Sequence, residues 1–204
     1  MLFRSEGGLK GELWEGQLGF DASMFQMDFH NLVVGSFDSL GNPTLLNAGH
    51  ERFKGYELNA SIAPERLRGF SLSAGYARHD PCFVLFTFFT PDGSYRDVSG
   101  KLIELAPREL YNARASFAPA TGLGGWVALR HQGERPLTRR NTFWTPAFEE
   151  YDAGLSLAAH GVRITAQARN LGDDRHPVAE SDIGDSMFYI SAPRRYSGEV
   201  SFKF

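Results

Sequence analysis

The chain has 204 residues, a formal net charge of −3 and a single cysteine, Cys82. This charge gives no electrostatic reason to expect a nucleic-acid partner, and one cysteine excludes an intramolecular disulfide and a cysteine-rich metal cluster. The 17 Phe, 7 Tyr and 22 Gly favour short strands joined by turns over helices. No run of about 18 apolar residues predicts a transmembrane helix. We expect no signal peptide in this chain, because its first residues lack an apolar core of about 7–15 residues.

Apolar residues recur at every second position along most of the sequence, which is the pattern of β-strands with two unlike faces. This period predicts nine strands, whose ends are placed to within about 2–4 residues. They cover residues 8–14, 17–33, 51–63, 69–79, 104–118, 123–134, 147–159, 162–171 and 190–204.

The second predicted strand is the least regular of the nine. Its apolar residues share one face from Leu18 to Met24 and then occupy the other face at Phe25, Met27 and Phe29. A change of face within one strand indicates either a β-bulge or a change of environment, and the sequence leaves both open.

The later strands alternate regularly, and their apolar faces combine small residues with aromatic residues near the strand ends. The small residues are Ala60, Ala74, Ala113, Ala115, Ala153, Ala166 and Ala168. The aromatic residues are Tyr56, Phe70, Tyr76, Tyr111, Phe117, Tyr151, Tyr196 and Phe204. A band bordered by aromatic girdles is typical of the lipid-facing surface of a transmembrane β-barrel.

The connections between the predicted strands alternate in length. Short turns follow the first, third, fifth and seventh strands, whereas the loops over 34–50, 80–103, 135–146 and 172–189 are long. Hairpins whose tight turns all lie at one end of the sheet produce this alternation, and outer-membrane barrels have it. The sequence therefore predicts an all-β, antiparallel segment of a transmembrane β-barrel with about nine meandering strands. A soluble β-sandwich binding module also alternates in this way and remains the alternative fold.

Several stretches resemble the C-terminal part of the β-barrel of a TonB-dependent outer-membrane receptor. They are NAGHERFKGYELNASIAP, LAPRELYNARASF, PAFEEYDAGLSL with VRITAQARNLGDDRHP, and APRRYSGEVSFKF. Each motif is weak alone, but their order and spacing match from about residue 8 to 204. The last stretch also resembles the signal read by the barrel-assembly machinery. Its apolar side consists of Tyr196, Val200, Phe202 and Phe204.

The resemblance implies a function and a set of partners. The family's barrels have about 22 strands around an N-terminal plug. They import iron–siderophores or similar large nutrients with energy delivered by TonB. Residues 1–204 would then be the C-terminal portion of such a barrel in the outer membrane, without a plug and not competent for transport alone. The implied partners are outer-membrane lipid and lipopolysaccharide, the plug and TonB of an intact receptor, and an iron-siderophore. A passive porin or adhesin barrel is the alternative function.

Two groups of residues are candidates for contact with ligand or plug. In the long loops, aromatic side chains and two arginines could contact an anionic, aromatic iron chelate. These are Phe83, Phe86, Phe88, Phe89, Arg139 and Arg140. The phenylalanines could instead extend a strand or pack against neighbouring loops, and the arginines could be solvated or contact lipopolysaccharide phosphate. On the polar strand faces, the candidates for the plug-facing wall are Glu57, Arg114, Arg163, Arg169 and Glu199.

No enzyme, metal or cofactor site is predicted. No two of the six histidines are spaced i,i+2 or i,i+4, and we therefore expect no metal centre. Glu149 and Glu150 are neighbours on a strand and point to opposite faces, so they cannot act on one substrate. No motif supports a Ser-His-Asp or Cys-His arrangement.

Overall fold

The computed structural model describes residues 1–38, 40–180 and 188–202. Within these residues it contains strands and one short 3-10 helix, Glu65–Leu67. The strands are β1 (Leu2–Leu13), β2 (Leu18–Phe37), β3 (Pro43–Ile62), β4 (Phe70–Phe89), β5 (Tyr95–Asp97), β6 (Glu109–Phe117), β7 (Gly122–Gln132), β8 (Arg135–Pro136), β9 (Trp144–Thr145), β10 (Phe148–Ala159), β11 (Val162–Arg169), β12 (Pro177–Glu180), β13 (Phe188–Ile190) and β14 (Arg195–Phe202). Among the residues described, no helix is long and apolar enough to cross a bilayer.

Nine strands form one antiparallel meander in the order β1-β2-β3-β4-β6-β7-β10-β11-β14. The short strand β5 pairs with the outer part of β4, and β8–β9 and β12–β13 are separate two-stranded sheets. In the described part of the chain the meander is open, with β1 and β14 at its edges. The predicted all-β antiparallel meander of about nine strands is confirmed, as is its incompleteness relative to a closed barrel.

Four strands are longer than the alternation predicts. β1 begins at Leu2, six residues before its predicted start at residue 8. β2 continues to Phe37, β3 begins at Pro43, and β4 continues to Phe89. The predicted loop over 34–50 is therefore wrong: the chain turns at Asp38, whose carboxylate accepts hydrogen bonds from the amides of Leu40 (2.8 Å) and Asn42 (2.9 Å). Apolar and polar residues do not alternate regularly in these extensions, so the period of two does not predict them.

Two strands are shorter than predicted. The prediction over 104–118 becomes β6 over Glu109–Phe117, and the prediction over 190–204 becomes β14 over Arg195–Phe202. The residues before each strand belong instead to loops that pack on the outer part of the sheet.

The irregularity in β2 is a change of environment. Its register with β3 is unbroken from Leu18 to His30, and the register shifts begin only after His30. Phe25 and Phe29 therefore lie on the face opposite Met24, where Phe29 contacts the edge of Phe53 at a ring separation of 6.0 Å.

The apolar face of the meander is not covered by a second layer in the described residues. Large apolar side chains along its middle are exposed, including Leu155 at 63%, Val127 at 58% and Ile164 at 52%. A soluble sandwich packs this face against a second sheet, so the sandwich alternative is wrong. An exposed apolar surface of this extent marks an interaction with a membrane or a partner.

Aromatic residues border the apolar band at both ends, as predicted. At the end near the long loops, Tyr56 and Tyr76 lie 6.0 Å apart and Tyr76 is paired with Tyr111. At the end near the tight turns, Phe70 is paired with Phe117. Six residues separate the two rows on β4, which is about 20 Å along a strand. We call the row of Tyr56, Tyr76 and Tyr111 the tyrosine row.

Carboxylates lie immediately outside the tyrosine row. The Tyr76 hydroxyl donates to Glu109 at 2.9 Å, and the Tyr111 hydroxyl donates to Glu149 at 2.6 Å. Each tyrosine thus has an apolar ring toward the band and a hydroxyl bonded on its polar side, which is how tyrosine anchors at a membrane interface.

The two faces can be tested with adjacent residues of β11. Ala166 lies on the apolar face between Leu155 and Gly198, whereas Thr165 lies on the other face between Ser156 and Glu199. We expect Ala166→Arg to lower the free energy of unfolding in lipid vesicles by about 2–4 kcal/mol, because an arginine near the bilayer centre loses its hydration. The matched control Thr165→Arg should change it by less than about 1 kcal/mol. Equal effects in urea titrations would contradict a lipid-facing band.

Candidate ligand-facing loops and inner wall

The outer part of β4 and the loop after it form a small apolar core above the tyrosine row. Phe83 and Phe86 are each 1% exposed and pack with Val98 and Ile103. The loop returns alongside β4: the Val98 amide donates to the Phe86 carbonyl at 2.9 Å, and the Phe83 amide donates to the Lys101 carbonyl at 2.9 Å. The returning chain therefore covers Phe83 and Phe86 of the segment FVLFTFF, whereas Val84, Leu85 and Phe89 are exposed.

Short polar side chains hold the segment after β4 in place alongside that strand. The Phe86 amide donates to the Ser99 hydroxyl oxygen at 3.1 Å, and the Ser99 amide donates to the Asp97 carboxylate at 2.8 Å. Hydrogen bonds from the side chain and backbone of Ser99 hold the pKa of Asp97 below its usual value. Asp97 and Ser99 thus form a local turn that places Val98 against the phenylalanines.

The loop between β7 and β10 docks on this return segment through Asn141. The Leu102 amide donates to the Asn141 side-chain oxygen at 2.9 Å, and the Asn141 side-chain nitrogen donates to the Leu102 carbonyl at 2.8 Å. Asn141 has a φ of 55°, a left-handed conformation that asparagine tolerates better than most residues. Lys101 adds a hydrogen bond from Nζ to the Arg140 carbonyl at 2.6 Å.

Docking places Arg139 over the aromatic segment. Its guanidinium carbon lies 5.5 Å from the ring centre of Phe86 and 5.8 Å from that of Phe88. Its Nε donates to Glu104 at 2.9 Å. The charge of Arg139 is therefore partly neutralised within the loops, and its stem covers aromatic surface.

A second carboxylate lies near this ion pair. Glu51 is on the part of β3 beyond the tyrosine row, outside the membrane-spanning segment. Burial, followed by the charge of Glu104, raises the pKa of Glu51, while Arg139 acts in the opposite direction. Arg139 thus stabilises two acidic groups as well as the aromatic packing.

The structure divides the six predicted loop candidates into three pairs that differ in burial. Phe83 and Phe86 are core residues, and Phe88 and Arg139 are half-buried against one another. Phe89 and Arg140 have exposed side chains, and the Phe89 ring contacts the edge of Tyr95 at 5.5 Å. The structure supports packing as the main role of this segment, and ligand contact by Phe89 and Arg140 stays a prediction.

Sequence reasoning missed the residues that assemble these loops, above all Glu51, Glu104 and Asn141. They lie in three different connections, and nothing in their local sequence reveals that they meet. The only local signal is the dipeptide Arg140-Asn141, since asparagine is favoured in turns.

The five candidates for the inner wall lie on one face of the meander, opposite the apolar band. Their strand positions alternate with lipid-facing residues in every case. Glu57 is 3.3 Å from His79 Nε2, and Arg163 donates to the Ser156 hydroxyl at 3.3 Å. Contact with a plug stays a prediction for all five, which are Glu57, Arg114, Arg163, Arg169 and Glu199.

Arg114 is held by an aromatic platform. Its guanidinium carbon lies 3.9 Å from the ring centre of Trp126 on the neighbouring strand, a distance suited to a cation–π interaction. Trp126 lies over Gly154 of β10, where an added Cβ would be 2.7 Å from Trp126 Cε2. Glycine at 154 therefore makes room for the platform.

Arg169 of β11 lies directly opposite Arg195 of β14. Like charges at opposed positions of a ladder destabilise it unless an anion lies between them. Among the residues described, neither arginine forms an ion pair within 4.0 Å.

The predicted assembly signal lies at the edge of the sheet. Tyr196, Val200 and Phe202 are exposed on the apolar face of β14 at 72%, 55% and 63%. Phe204 lies outside the described residues. The geometry fits an aromatic edge strand, and recognition by an assembly machinery stays a prediction.

The comparisons with known proteins agree with this architecture. A family model described as "TonB dependent receptor-like, beta-barrel" matches residues 5–171. The chain belongs to this family of receptor barrels, which confirms the resemblance found in its sequence. A comparison with curated protein sequences gave no significant match.

Several solved structures share this fold, and they include an uptake receptor, a siderophore receptor and a ferric citrate transporter. The ferric yersiniabactin uptake receptor FyuA from Yersinia pestis is 17% identical, with a TM-score of 0.81 over 100% of this chain and 30% of that one. The siderophore receptor PiuA from Acinetobacter baumannii is 20% identical, with a TM-score of 0.77 over 97% of this chain and 27% of that one. The ferric citrate transporter FecA is 17% identical, with a TM-score of 0.76 over 98% of this chain and 31% of that one.

These likenesses establish the fold and the extent of the match. The chain spans about 30% of the length of FyuA. Proteins of the family are outer-membrane transport receptors and not enzymes, which agrees with the prediction that the chain carries no catalytic site.

Asn141 provides a test of loop docking. Asn141→Asp keeps the acceptor for the Leu102 amide but removes the donor to its carbonyl, and Asn141→Gly keeps the backbone conformation but removes both bonds. We expect losses of loop stability of about 1–3 kcal/mol, larger for glycine, measured by hydrogen exchange of the Leu102 and Ile103 amides. Unchanged exchange in both variants would show that the two loops are not coupled through this side chain.

Two glycines provide a matched test of the Arg114 platform. Gly154→Ala would push the new methyl group into Trp126, and we expect it to lower the free energy of unfolding by about 1–3 kcal/mol. At Gly198 an added Cβ would lie 3.7 Å from the Thr165 carbonyl oxygen, an ordinary contact. Gly198→Ala should therefore be neutral or slightly stabilising. Urea unfolding followed by tryptophan fluorescence measures both, and equal stabilities would contradict the packing of Trp126 on Gly154.

Proposed function

We propose that the chain forms the C-terminal wall of an outer-membrane receptor that imports an iron-loaded siderophore or a similar large nutrient with energy from TonB. The observation that carries this proposal is the open nine-stranded meander with an exposed apolar band, matched over 100% of the chain to the FyuA barrel. FyuA is a ferric yersiniabactin uptake receptor, PiuA a siderophore receptor and FecA a ferric citrate transporter, and these ligands favour this nutrient class.

The open edges support completion by further strands. In lipid, each backbone group left unpaired on β1 or β14 costs several kcal/mol. Nine strands are fewer than half of the about 22 that surround a plugged lumen in transporters of this kind. The proposed wall would therefore be joined by the other strands of a receptor and would not transport a nutrient alone.

The charged residues of the inner wall favour contact with a protein partner in the lumen. Arg169 and Arg195 oppose one another on that face, and an acidic residue of a plug would relieve their repulsion. Arg114 is already oriented by Trp126 and would meet an acceptor at little further cost in side-chain entropy. The outer face would contact membrane lipid and lipopolysaccharide.

Phe89 and Arg140 supply the remaining surface for a ligand. Both are exposed at the outer end of the molecule. An aromatic ring and a guanidinium group together suit an anionic iron chelate with planar, apolar parts.

The test begins with the DNA directly upstream of Met1. We expect it to encode, in frame or after one frameshift, a plug and about 13 more strands, the number that completes a barrel of about 22. Cells that make the complete reading frame should then take up ⁵⁵Fe-labelled siderophore when tonB is intact and not when tonB is deleted. Upstream DNA without a plug, together with solute flux that does not depend on TonB, would favour a passive porin instead.

Ligand contact is tested in the same cells. Phe89→Ala and Arg140→Glu should raise the siderophore concentration needed for half-maximal uptake by about tenfold, since each removes one contact of about 1.4 kcal/mol. Glu134→Gln, an exposed change in the same loop region, serves as the control. If both variants transport like the control while the tonB dependence persists, these two residues do not contact the ligand.

A further inference from the structure

Asp28, His30 and His50 form a compact cluster above the tyrosine row. Their potential ligand atoms all lie within 4.8 Å of one another. Asp28 and His30 occupy alternate positions of β2, and His50 is the β3 residue paired with His30. Alternate residues of one strand share a face, so the three side chains converge on the outward side of the sheet.

The sequence could not reveal this cluster from the histidines alone. His30 and His50 are far apart in the chain, and only the β2–β3 register brings them into opposition. Their rings are stacked with centres 4.0 Å apart, and the edge of Phe3 packs on His30 at 5.7 Å. The expectation of no metal centre compared histidine spacing within single segments and did not consider cross-strand pairs.

The carboxylate of Asp28 is oriented by three hydrogen bonds. Oδ1 lies 2.8 Å from His50 Nε2 and accepts from Arg52 Nε at 2.8 Å, while Oδ2 accepts from Gln26 Nε2 at 2.7 Å. The Asp28 and His50 side chains are 14% and 20% exposed. A carboxylate held by neighbouring donors and an imidazole in a half-buried position make a pre-oriented ligand set.

Strand pairing is irregular next to this cluster, both between β2 and β3 and between β3 and β4. The register of β2 and β3 shifts directly after His30, and that of β3 and β4 shifts directly after His50. Asn31 has a φ of 57°. Bulges and left-handed residues re-aim the side chains beside them and recur at functional sites.

We propose that Asp28, His30 and His50 bind a divalent transition-metal ion of the Zn²⁺ type. Two imidazoles and one carboxylate suit Zn²⁺, Ni²⁺ or Cu²⁺, with the remaining coordination position open to water. Tetrahedral bonds of about 2.0–2.1 Å place ligand atoms about 3.3 Å apart. Small side-chain rotations would therefore bring the three ligand atoms, now within 4.8 Å of one another, to the separations that coordination needs. Metal binding replaces the Asp28–His50 hydrogen bond and ties β2 to β3 at the point where their regular pairing ends.

This site is separate from the proposed nutrient pathway. It lies on the outward face of the sheet, on the same side as Met24 and Tyr56, whereas the inner wall lies on the other face. The inference therefore does not depend on the proposed function, and its failure would leave that function untouched.

Arg52 makes the test specific. Its guanidinium competes with a metal ion for Asp28 and repels the ion's charge. A doubly charged ion about 5 Å from a guanidinium at the surface is destabilised by roughly tenfold in affinity. Arg52→Gln should therefore tighten Zn²⁺ binding by about tenfold, an effect that a cluster with only a structural role would not produce.

The experiment is calorimetric titration of the full chain in detergent with Zn²⁺, with Co²⁺ absorption as an independent report of nitrogen ligation. We expect one ion per chain, and a loss of at least about tenfold in affinity for His30→Gln, His50→Gln and Asp28→Asn. His160→Asn, in a turn at the other end of the sheet, is the matched control. Circular dichroism of each variant verifies that the sheet is formed.

Each outcome either supports or overturns the proposed metal site. Loss of binding in the three ligand variants together with tighter binding in Arg52→Gln supports the site. Binding that is weak in all proteins, or that falls only in His160→Asn, overturns it. Binding that is unchanged by the three ligand substitutions also overturns it, because another group then holds the ion.

Discussion

The structure depends on a continuous antiparallel ladder whose apolar face is not covered by any other part of the chain that the structure describes. Backbone N–H and C=O groups are paired from strand to strand along the meander, so only side chains need to match the surroundings. Leu155, Val127 and Ile164 would form the core of a soluble protein, yet here they are exposed. Hydrocarbon is the environment that makes this exposure favourable, and the tyrosine row marks where it ends.

Beyond the tyrosine row the source of order changes. The loops there have no membrane to organise them, and they are held by a small apolar core around Phe83 and Phe86 and by specific polar bonds. Asn141 joins two connections through a reciprocal pair of hydrogen bonds, and that docking brings Arg139 to Glu104. Several aromatic and cationic residues that the sequence suggests for ligand contact are thus used for packing. Of the six loop candidates, only Phe89 and Arg140 have exposed side chains.

The two faces of the sheet meet different environments. On the inner face, Arg114 is fixed by Trp126, and Arg169 is opposed by Arg195, an arrangement that an anionic neighbour would stabilise. On the outer face, charged residues appear only outside the tyrosine row, where the cluster of Asp28, His30 and His50 lies. Between the aromatic rows, charge is therefore confined to the inner face and absent from the outer face.

The sequence by itself determined the all-β class, the number of strands in the meander, the end at which the tight turns lie and which face is apolar. It could do so because the period of two residues and the turn residues are local signals, repeated in strand after strand. Only the tertiary structure decided that β2, β3 and β4 extend beyond the band, that Phe83 and Phe86 are core residues, and that His30 meets His50. These features depend on strand register and on contacts between distant loops. Such contacts join residues with no fixed spacing along the chain, so no local pattern encodes them.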